Sequence, residues 1–413
     1  MSSDEMILFN NGLSYTLPVP TSVVTNKVKK RSYFQNRSYD AQQTMVCTWS
    51  SASDYVDAAN SSLVVKVKVL PGAQPPACNF GKGSAMNIAE NVRIFHRSGT
   101  QYTNTQKMNA YRAIDDRMCE SENWFSSIGA GMGYDLVDGY FGDVGFDEHL
   151  FVIPLKKLHS FFDGSSALLP SAMVGALRVE IDLATVGNIF KAGNVANTDP
   201  PAGYEITSIY FDLESVSLMD SAMASLNSKA QKQSLEYLYC DIFTSRNSTP
   251  SNTSSVNIDI NKSVSYCQKA MAVIQRNDYQ NNTSEDSYST PYLDGNWWFQ
   301  LGSMQYPSNQ KVDETRVGYN SALCTWDKFK GKCGERGETA ITYSDFRNHT
   351  GVYSISAELD TSLALSGQPV TSSRTLRFEL SLDAPVAQDS TTLVFMKYLS
   401  SARSTLTSSK VDI

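Results

Sequence analysis

The chain has 413 residues, a net charge of −7 and a charged share of 19%, below the ~25% usual for soluble domains. That length suits two domains of roughly 200 residues better than one. The acidic balance argues against a dedicated nucleic-acid binder, which carries a basic domain or stripe. The sequence opens MSSDEMILFNNGLSYTL, with no apolar h-region, so we expect no signal peptide there. No run of about 18 apolar residues offers a membrane span.

Residues 1–44 are polar and patchy, and we expect an extended N-terminal arm with little structure of its own. Its basic run, Lys27, Lys29, Lys30 and Arg31, reads either as a solvated linker or as an inward-facing contact for genome, membrane or a minor protein. From Met45 the pattern changes. Ser62–Leu70 sets Val65, Val67 and Val69 against Lys66 and Lys68, a strand with one wet face. Ala89–His96 is a second strand, closed by the turn Arg97-Ser98-Gly99-Thr100. Residues 103–118 have helical spacing, with Thr103 or Asn104 as cap. A Gly-rich aromatic loop, Ile128–Val144, follows. His149–Ile153 is strand-like, and Pro154 opens a short helix, LKKLHSFF, that would carry His159. Leu177–Leu183 alternates cleanly, and Glu205–Leu218 holds one or two strands.

Residues 219–234 form a polar, Ala/Ser-rich connector, at which we place the domain boundary. The second half repeats the style of the first. Leu235–Phe243, Ser255–Ile260, Cys267–Gln275, Trp297–Ser303, Val352–Leu359, Thr375–Leu382 and Thr392–Leu399 all read as strands. The expectation is an all-β chain of two consecutive antiparallel eight-stranded jelly rolls, at 45–218 and 235–413, with a few short helices in loops.

Catalytic signatures do not emerge, and we assign no catalytic, cofactor-binding or metal-binding residue. The cysteines, Cys47, Cys78, Cys119, Cys240, Cys267, Cys324 and Cys333, include no CxxC pair, so a structural zinc is not expected. They read as reduced, mostly buried thiols made in the cytosol, with a Cys324–Cys333 disulfide as the alternative. Asp147-Glu148-His149 alternates sides on an extended chain and reads as a polar loop edge. Gly81-Lys82-Gly83-Ser84 lacks the phosphate-loop spacing, and Gly129, Gly131 and Gly133 open no βαβ unit. Asp115, Asp116 and Glu120 share a predicted helix; paired carboxylates serve acid–base chemistry, but a solvated charged face is the commoner meaning. Trp297 and Trp298 point to opposite faces of one strand, which disfavours a sugar-stacking pair.

Six segments, in order, carry a family resemblance. They are Tyr55-Val56-Asp57 leading into SSLVVKVKV; AENVRIFHRSGTQYTNTQKMNAYRAI; FVIPLKKLHSFFDGSSALLPSAMVGALRVEIDL; NIDINKSVSYCQKAMAVIQRN, ending at Arg276; FQLGSMQYPS; and TLRFELSLDAPVAQDSTTLVFMKYLSSARSTL. Together they resemble the double jelly-roll major capsid proteins of polinton-like viruses, adintoviruses and virophages.

The resemblance implies a structural, non-enzymatic subunit of a DNA-virus virion, made in the host cytosol. Its homotrimers, each a pseudo-hexamer of six barrels, would tile an icosahedral shell beside neighbouring capsomers, penton and minor capsid proteins. Loop aromatics Trp124, Phe125, Tyr140, Phe141 and Tyr306 are candidate interface residues, because such interfaces are rich in aromatics. Genome or inner-membrane contact would fall to the arm. The alternative is a β-sandwich carbohydrate-binding or adhesin-type module, which would hold a sugar as a monomer. A β-sandwich hydrolase would need two acids converging in a cleft.

Overall fold

A computed structural model describes residues 24–412, apart from residue 97, most of 223–234, and segments within 50–54, 71–77, 137–147, 164–167, 170–176, 193–200, 283–285, 308–314, 331–340, 358–366 and 405–408. Strands dominate, and all the sheets are antiparallel.

The first half builds two facing sheets. One runs β1 (Val24–Tyr33), β12 (Gly203–Leu218), β4 (Tyr55–Leu70) and β8 (Glu148–Pro154), with the short β2 (Tyr39–Asp40) beside β12 and β9 (Leu168–Leu169) beside β4. The other runs β3 (Thr44–Thr48), β10 (Leu177–Leu183), β6 (Ala89–His96) and β7 (Gln101–Thr105). A two-stranded ribbon, β5 (Cys78–Phe80) with β11 (Phe190–Ala192), closes one end. The valines anticipated from the alternation, Val65, Val67 and Val69, point inward and are buried, as are Val92 and Ile94 opposite them.

The second half repeats this order strand for strand. Its larger sheet runs β13 (Leu235–Thr249), β21 (Ser390–Ser404), β15 (Val264–Arg276) and β18 (Tyr353–Ser356), with β19 (Gln368–Val370) beside β15 and β22 (Ser409–Asp412) beside β21. Its smaller sheet runs β14 (Ser255–Ile260), β20 (Leu376–Leu382), β16 (Gly295–Leu301) and β17 (Met304–Tyr306). In each half, the main strands taken in chain order pass back and forth between the two sheets with the same crossings, except for one hairpin, β6–β7 or β16–β17, that stays within the smaller sheet. That is the eight-strand jelly roll. The chain is a double jelly roll, as the strand pattern led us to expect.

Three expectations are corrected. First, residues 24–44 are not an arm outside the barrel. β1 pairs with β12 from Val24↔Leu218 to Tyr33↔Tyr210, and β2 pairs with Glu205 and Ile206. An edge strand hydrogen-bonds on one side only and can carry charge outward, so VTNKVKKRSY shows no apolar alternation although it is a strand. Residues 1–23 lie outside the described residues. Second, the helix is Met108–Cys119, and Thr103 and Asn104 belong to β7, paired with β6. Lys107, at φ 53°, turns the chain between strand and helix with no side-chain cap. Third, His159 lies beyond the short helix Leu155–Leu158, as its C-cap in extended conformation. The fold also contains a 16-residue helix, Thr315–Lys330, that we did not anticipate. Its buried residues include Gly318, Ala322, Thr325 and Trp326, too small and polar a set to read as an apolar stripe.

Candidate assembly surfaces

The two barrels are joined through a buried junction. The helix Met108–Cys119 follows β7 and stays packed on the first barrel, with Asn109 Nδ2 donating to the Asn87 carbonyl, while its other side lies on the outer face of the second barrel's larger sheet. There the Tyr111 ring meets Phe395 edge-on at 5.6 Å. β13 runs alongside: Tyr239 Oη donates to the Tyr102 carbonyl at 2.7 Å, Tyr237 Oη to the Phe161 carbonyl at 2.6 Å, and Ser160 Oγ to the Cys240 carbonyl at 2.8 Å. Buried tyrosines are well suited to this work, because each ring fills the seam and each hydroxyl satisfies a backbone acceptor.

Asp115 and Asp116 sit here, and the solvated charged face expected for them is corrected. Asp116 is fully buried and Asp115 is 9% exposed. Asp115 accepts from Lys269 Nζ at 2.8 Å and Trp326 Nε1 at 3.2 Å, both in the second half, and from Arg112 at 3.3 Å. Asp116 accepts from Lys157 Nζ and Tyr134 Oη at 2.7 and 2.9 Å. Burial alone would raise the Asp115 carboxyl, but Lys269, Arg112 and Lys397 outweigh it and hold it well below the usual carboxylate range. Lys157 is raised in turn: its burial penalty is outweighed by Asp116 and Glu120. The Asp115 carboxylate stays ionised and locked to cations, ties the barrels together through Lys269 and Trp326, and cannot shuttle protons near neutral pH.

A second polar chain crosses the same seam. His159 is fully buried. Its Nδ1 accepts from the Phe161 N–H at 2.9 Å, so Nε2 carries the proton and faces Thr105 Oγ1 at 2.8 Å and Thr103 Oγ1 at 3.1 Å. Thr103 Oγ1 donates to Asp241 at 2.5 Å, and Tyr398 Oη donates to the same carboxylate at 2.6 Å. Burial, reinforced by the Arg112 charge, pushes His159 down to about 3. Burial also raises Asp241, against the hydrogen bonds from Thr103 and Tyr398.

The loop ends of the barrels meet as well. Lys82 Nζ reaches Asp345 at 2.8 Å, and the Lys82 N–H donates to Asp286 at 3.1 Å. The Asn281 N–H donates to Asn188 Oδ1 at 3.0 Å, and a Cβ on Gly187 would lie 2.4 Å from the Asn281 backbone. Only glycine admits that approach.

The residues singled out from sequence distribute as follows. Lys27, Lys29, Lys30 and Arg31 all lie on β1. Lys27 reaches Glu214 at 2.9 Å and Asp57 at 3.2 Å, Lys29 reaches Asp212 at 3.2 Å, and Arg31 lies over the Tyr210 ring at 4.7 Å. Trp124 and Phe125 are on the helix Glu122–Ser126, half-buried, and pack with Tyr134 at 5.6 and 4.8 Å. Lys157 Nζ sits over the Trp124 ring at 4.6 Å. They serve the first barrel's own packing. Tyr140 and Phe141 lie outside the described residues. Tyr306, on β17, is half-buried and accepts from Gln368 Nε2 at 2.8 Å. Among the cysteines, Cys47 and Cys267 are buried, Cys119 and Cys240 are half-buried, and Cys324 is exposed; Cys333 lies outside the described residues. Burial pushes Cys47 up to about 11 and Cys119 and Cys267 up to about 12, so these thiols stay protonated. Sequence reasoning missed the junction network because its partners are separated by up to 211 residues, from Asp115 to Trp326.

Two consecutive jelly rolls in one chain place the protein in the double jelly-roll class of β folds. No protein-family profile matches the sequence, and no curated protein matches it. Solved structures do. The PBCV-1 VP54 chain fitted into a reconstruction of the virophage Sputnik superposes with a TM-score of 0.65 at 11% identity, covering 97% of this chain and 100% of that one. A chain of the Sputnik virophage structure gives 0.62 at 11% identity, over 97% and 91%. The mavirus major capsid protein gives 0.52 at 7% identity, over 97% and 92%. At such identities it is the fold that is shared, and it is shared across nearly the whole length.

Proposed function

We propose that this chain is the major capsid protein of an icosahedral virus, a structural self-assembling subunit and not an enzyme. The observation that carries the reading is the match of this tandem pair of jelly rolls, over 97% of the chain, to capsid structures. On this reading the chain divides at 219–234. Three copies associate head to tail into a pseudo-hexamer of six barrels, and these tiles form the shell with penton and minor proteins. Residues 1–23 are then the segment available to touch a neighbouring capsomer, the genome or an inner membrane. The ion-paired state of Asp115 and Asp116 supports a structural role, since it removes the carboxylate pair that would have suggested hydrolysis. No observation favours a carbohydrate-binding module.

Purified protein tests this directly. Light scattering under reducing conditions should give a trimer, and electron microscopy a triangular or hexagonal particle roughly 70–80 Å wide, from six sandwich cross-sections. A stable monomer at high concentration would overturn the assembly, and a retained glycan would restore the alternative.

A further inference from the structure

The two barrels share one topology, yet they close differently at the end where β4 and β15 finish. In the first barrel the last paired residues directed into the core there are Val69 on β4 and Tyr204 on β12. The ribbon of β5 and β11 covers them. Phe190 meets the Tyr204 ring edge-on at 6.1 Å and stacks on Phe80 at 5.2 Å, and all three rings are no more than 1% exposed. Both ribbon strands are supplied by connections: β5 lies between β4 and β6, and β11 between β10 and β12.

The second barrel has less to close the same mouth. Its connection from β20 to β21 is residues 383–389, which hold no strand. Its last pair on β15 and β21 is Arg276 with Ser390, on the sheet face opposite Met271 and Phe395, the pair beneath the helix Met108–Cys119. A serine therefore stands where the first barrel places the Tyr204 ring. A cavity of about 460 Å³ opens at this point, a size and a position in a barrel mouth that suit a small ligand. Ile274, Tyr292 and Val386, all buried, form its apolar wall, with Pro291 and Pro385 beside them. The wall is fixed in place. Trp297 Nε1 donates to Tyr292 Oη at 2.9 Å, and the Tyr292 ring packs on Tyr353 at 4.8 Å and Phe346 at 5.3 Å. The Asn252 N–H donates to the Val386 carbonyl at 2.7 Å, and the Val386 N–H to the Thr253 carbonyl at 2.9 Å. A ligand entering a preformed site does not have to order it first.

The charges of the lining favour one sign. Arg276 is already matched: its Nε donates to Asp278 at 3.0 Å, and its guanidinium lies over the Tyr279 ring at 4.2 Å. Two carboxylates, Asp294 and Asp383, also belong to the lining. They are neighbours, since the Asp383 N–H donates to the Asp294 carbonyl at 3.1 Å. Asp294 accepts from the Thr315 hydroxyl, a neutral partner, and Asp383 is exposed on the rim.

We infer that this mouth is a binding site for a small aromatic amine. The aryl ring lies on the wall of Ile274, Tyr292 and Val386, in the place that Phe190 and Phe80 fill in the first barrel. The ammonium group lies beside Asp294 and Asp383. One chain forms the whole site, so the inference goes beyond the assembly proposed above and does not depend on it.

The test is a ligand-observed NMR titration of the purified full-length protein with phenethylammonium, phenethyl alcohol and phenylacetate. The ammonium should saturate and bind at least about threefold more tightly than the alcohol, the advantage expected of partly solvated carboxylates, and phenylacetate should bind least. Asp383→Asn should weaken the ammonium and leave the alcohol unchanged. Ala384→Trp, at another exposed rim position, should plug the mouth and abolish both. Thermal melting checks that each variant folds, and either one alone reads the site. Absence of saturable binding, or binding that Ala384→Trp leaves intact, would overturn the site. Equal affinity for the ammonium and the alcohol would overturn the assignment of an amine.

Discussion

His159 shows how a residue can be common in type and decisive in place. Its imidazole is fully buried and held neutral between a backbone N–H and two threonine hydroxyls. The unfolded chain takes up a proton near the ordinary histidine pKa of about 6.5, and the folded chain only near 3. The stability this contributes is present above about pH 6.5 and is lost as pH falls from there toward 3, by roughly 1 kcal/mol per pH unit. Asp241, 3.8 Å away, works in the opposite direction, because its raised carboxyl takes up a proton early on acidification in the folded state. Urea melts of wild type and His159→Gln between pH 7 and pH 4 separate the two: the variant should lose a large part of the acid sensitivity. If its pH slope equals that of wild type, the imidazole is not the sensor.

Lys269 is the companion case. Replacing it by Met would leave Asp115 buried with Arg112 and Trp326 but without its shortest contact. Breaking a buried pair on one side costs about 3 kcal/mol or more. Pairing Lys269→Met with Asp115→Asn should recover much of that loss, a non-additivity that denaturant titration of the single and double variants reads directly.

At the level of elements, β1 and the end-to-end loop contact carry the clearest consequences. β1 closes the edge of β12 along Val24–Tyr33. A chain lacking residues 1–40 exposes the edge of a 16-residue strand and loses the partners of Asp212 and Glu214. Exposed edges pair with other chains, so this truncation should aggregate on expression, which size-exclusion chromatography of the soluble fraction checks. Gly187→Ala tests the loop contact. A methyl group there must push the Asn281 backbone away, with an expected cost of about 1–3 kcal/mol. Strand boundaries were legible wherever one face meets the core and the other water. Leu177–Leu183 and Ser255–Ile260 appear with the anticipated ends. β1 was not legible, because an edge strand with charged side chains lacks that contrast, and the helix Thr315–Lys330 was hidden by the small residues it buries.

As a whole molecule, the protein should unfold in one step, because the second barrel's larger sheet owes part of its burial to the first barrel's helix, beside its own helix Thr315–Lys330. Separately expressed residues 235–413 would leave Phe395 without the Tyr111 ring and Lys269 without Asp115. They should be insoluble or molten, and should be rescued by co-expression with the first half. A soluble second half melting at the wild-type temperature would show the barrels to be independent.

The amino-acid sequence by itself determined the class of structure. Alternation of period two is a local property: each residue faces core or solvent according to its neighbour, so strands, turns and the near-equal halves could be read along the chain. The sequence also pointed to the double jelly roll through six short segments whose order matches that architecture. The tertiary structure alone decided how the barrels are joined. Asp115 meets Lys269 and Thr103 meets Asp241 only after sheets form and cross. A carboxylate on a helix looks the same in sequence whether it faces water or a buried lysine, because the difference lies in residues more than a hundred positions away, brought close by packing.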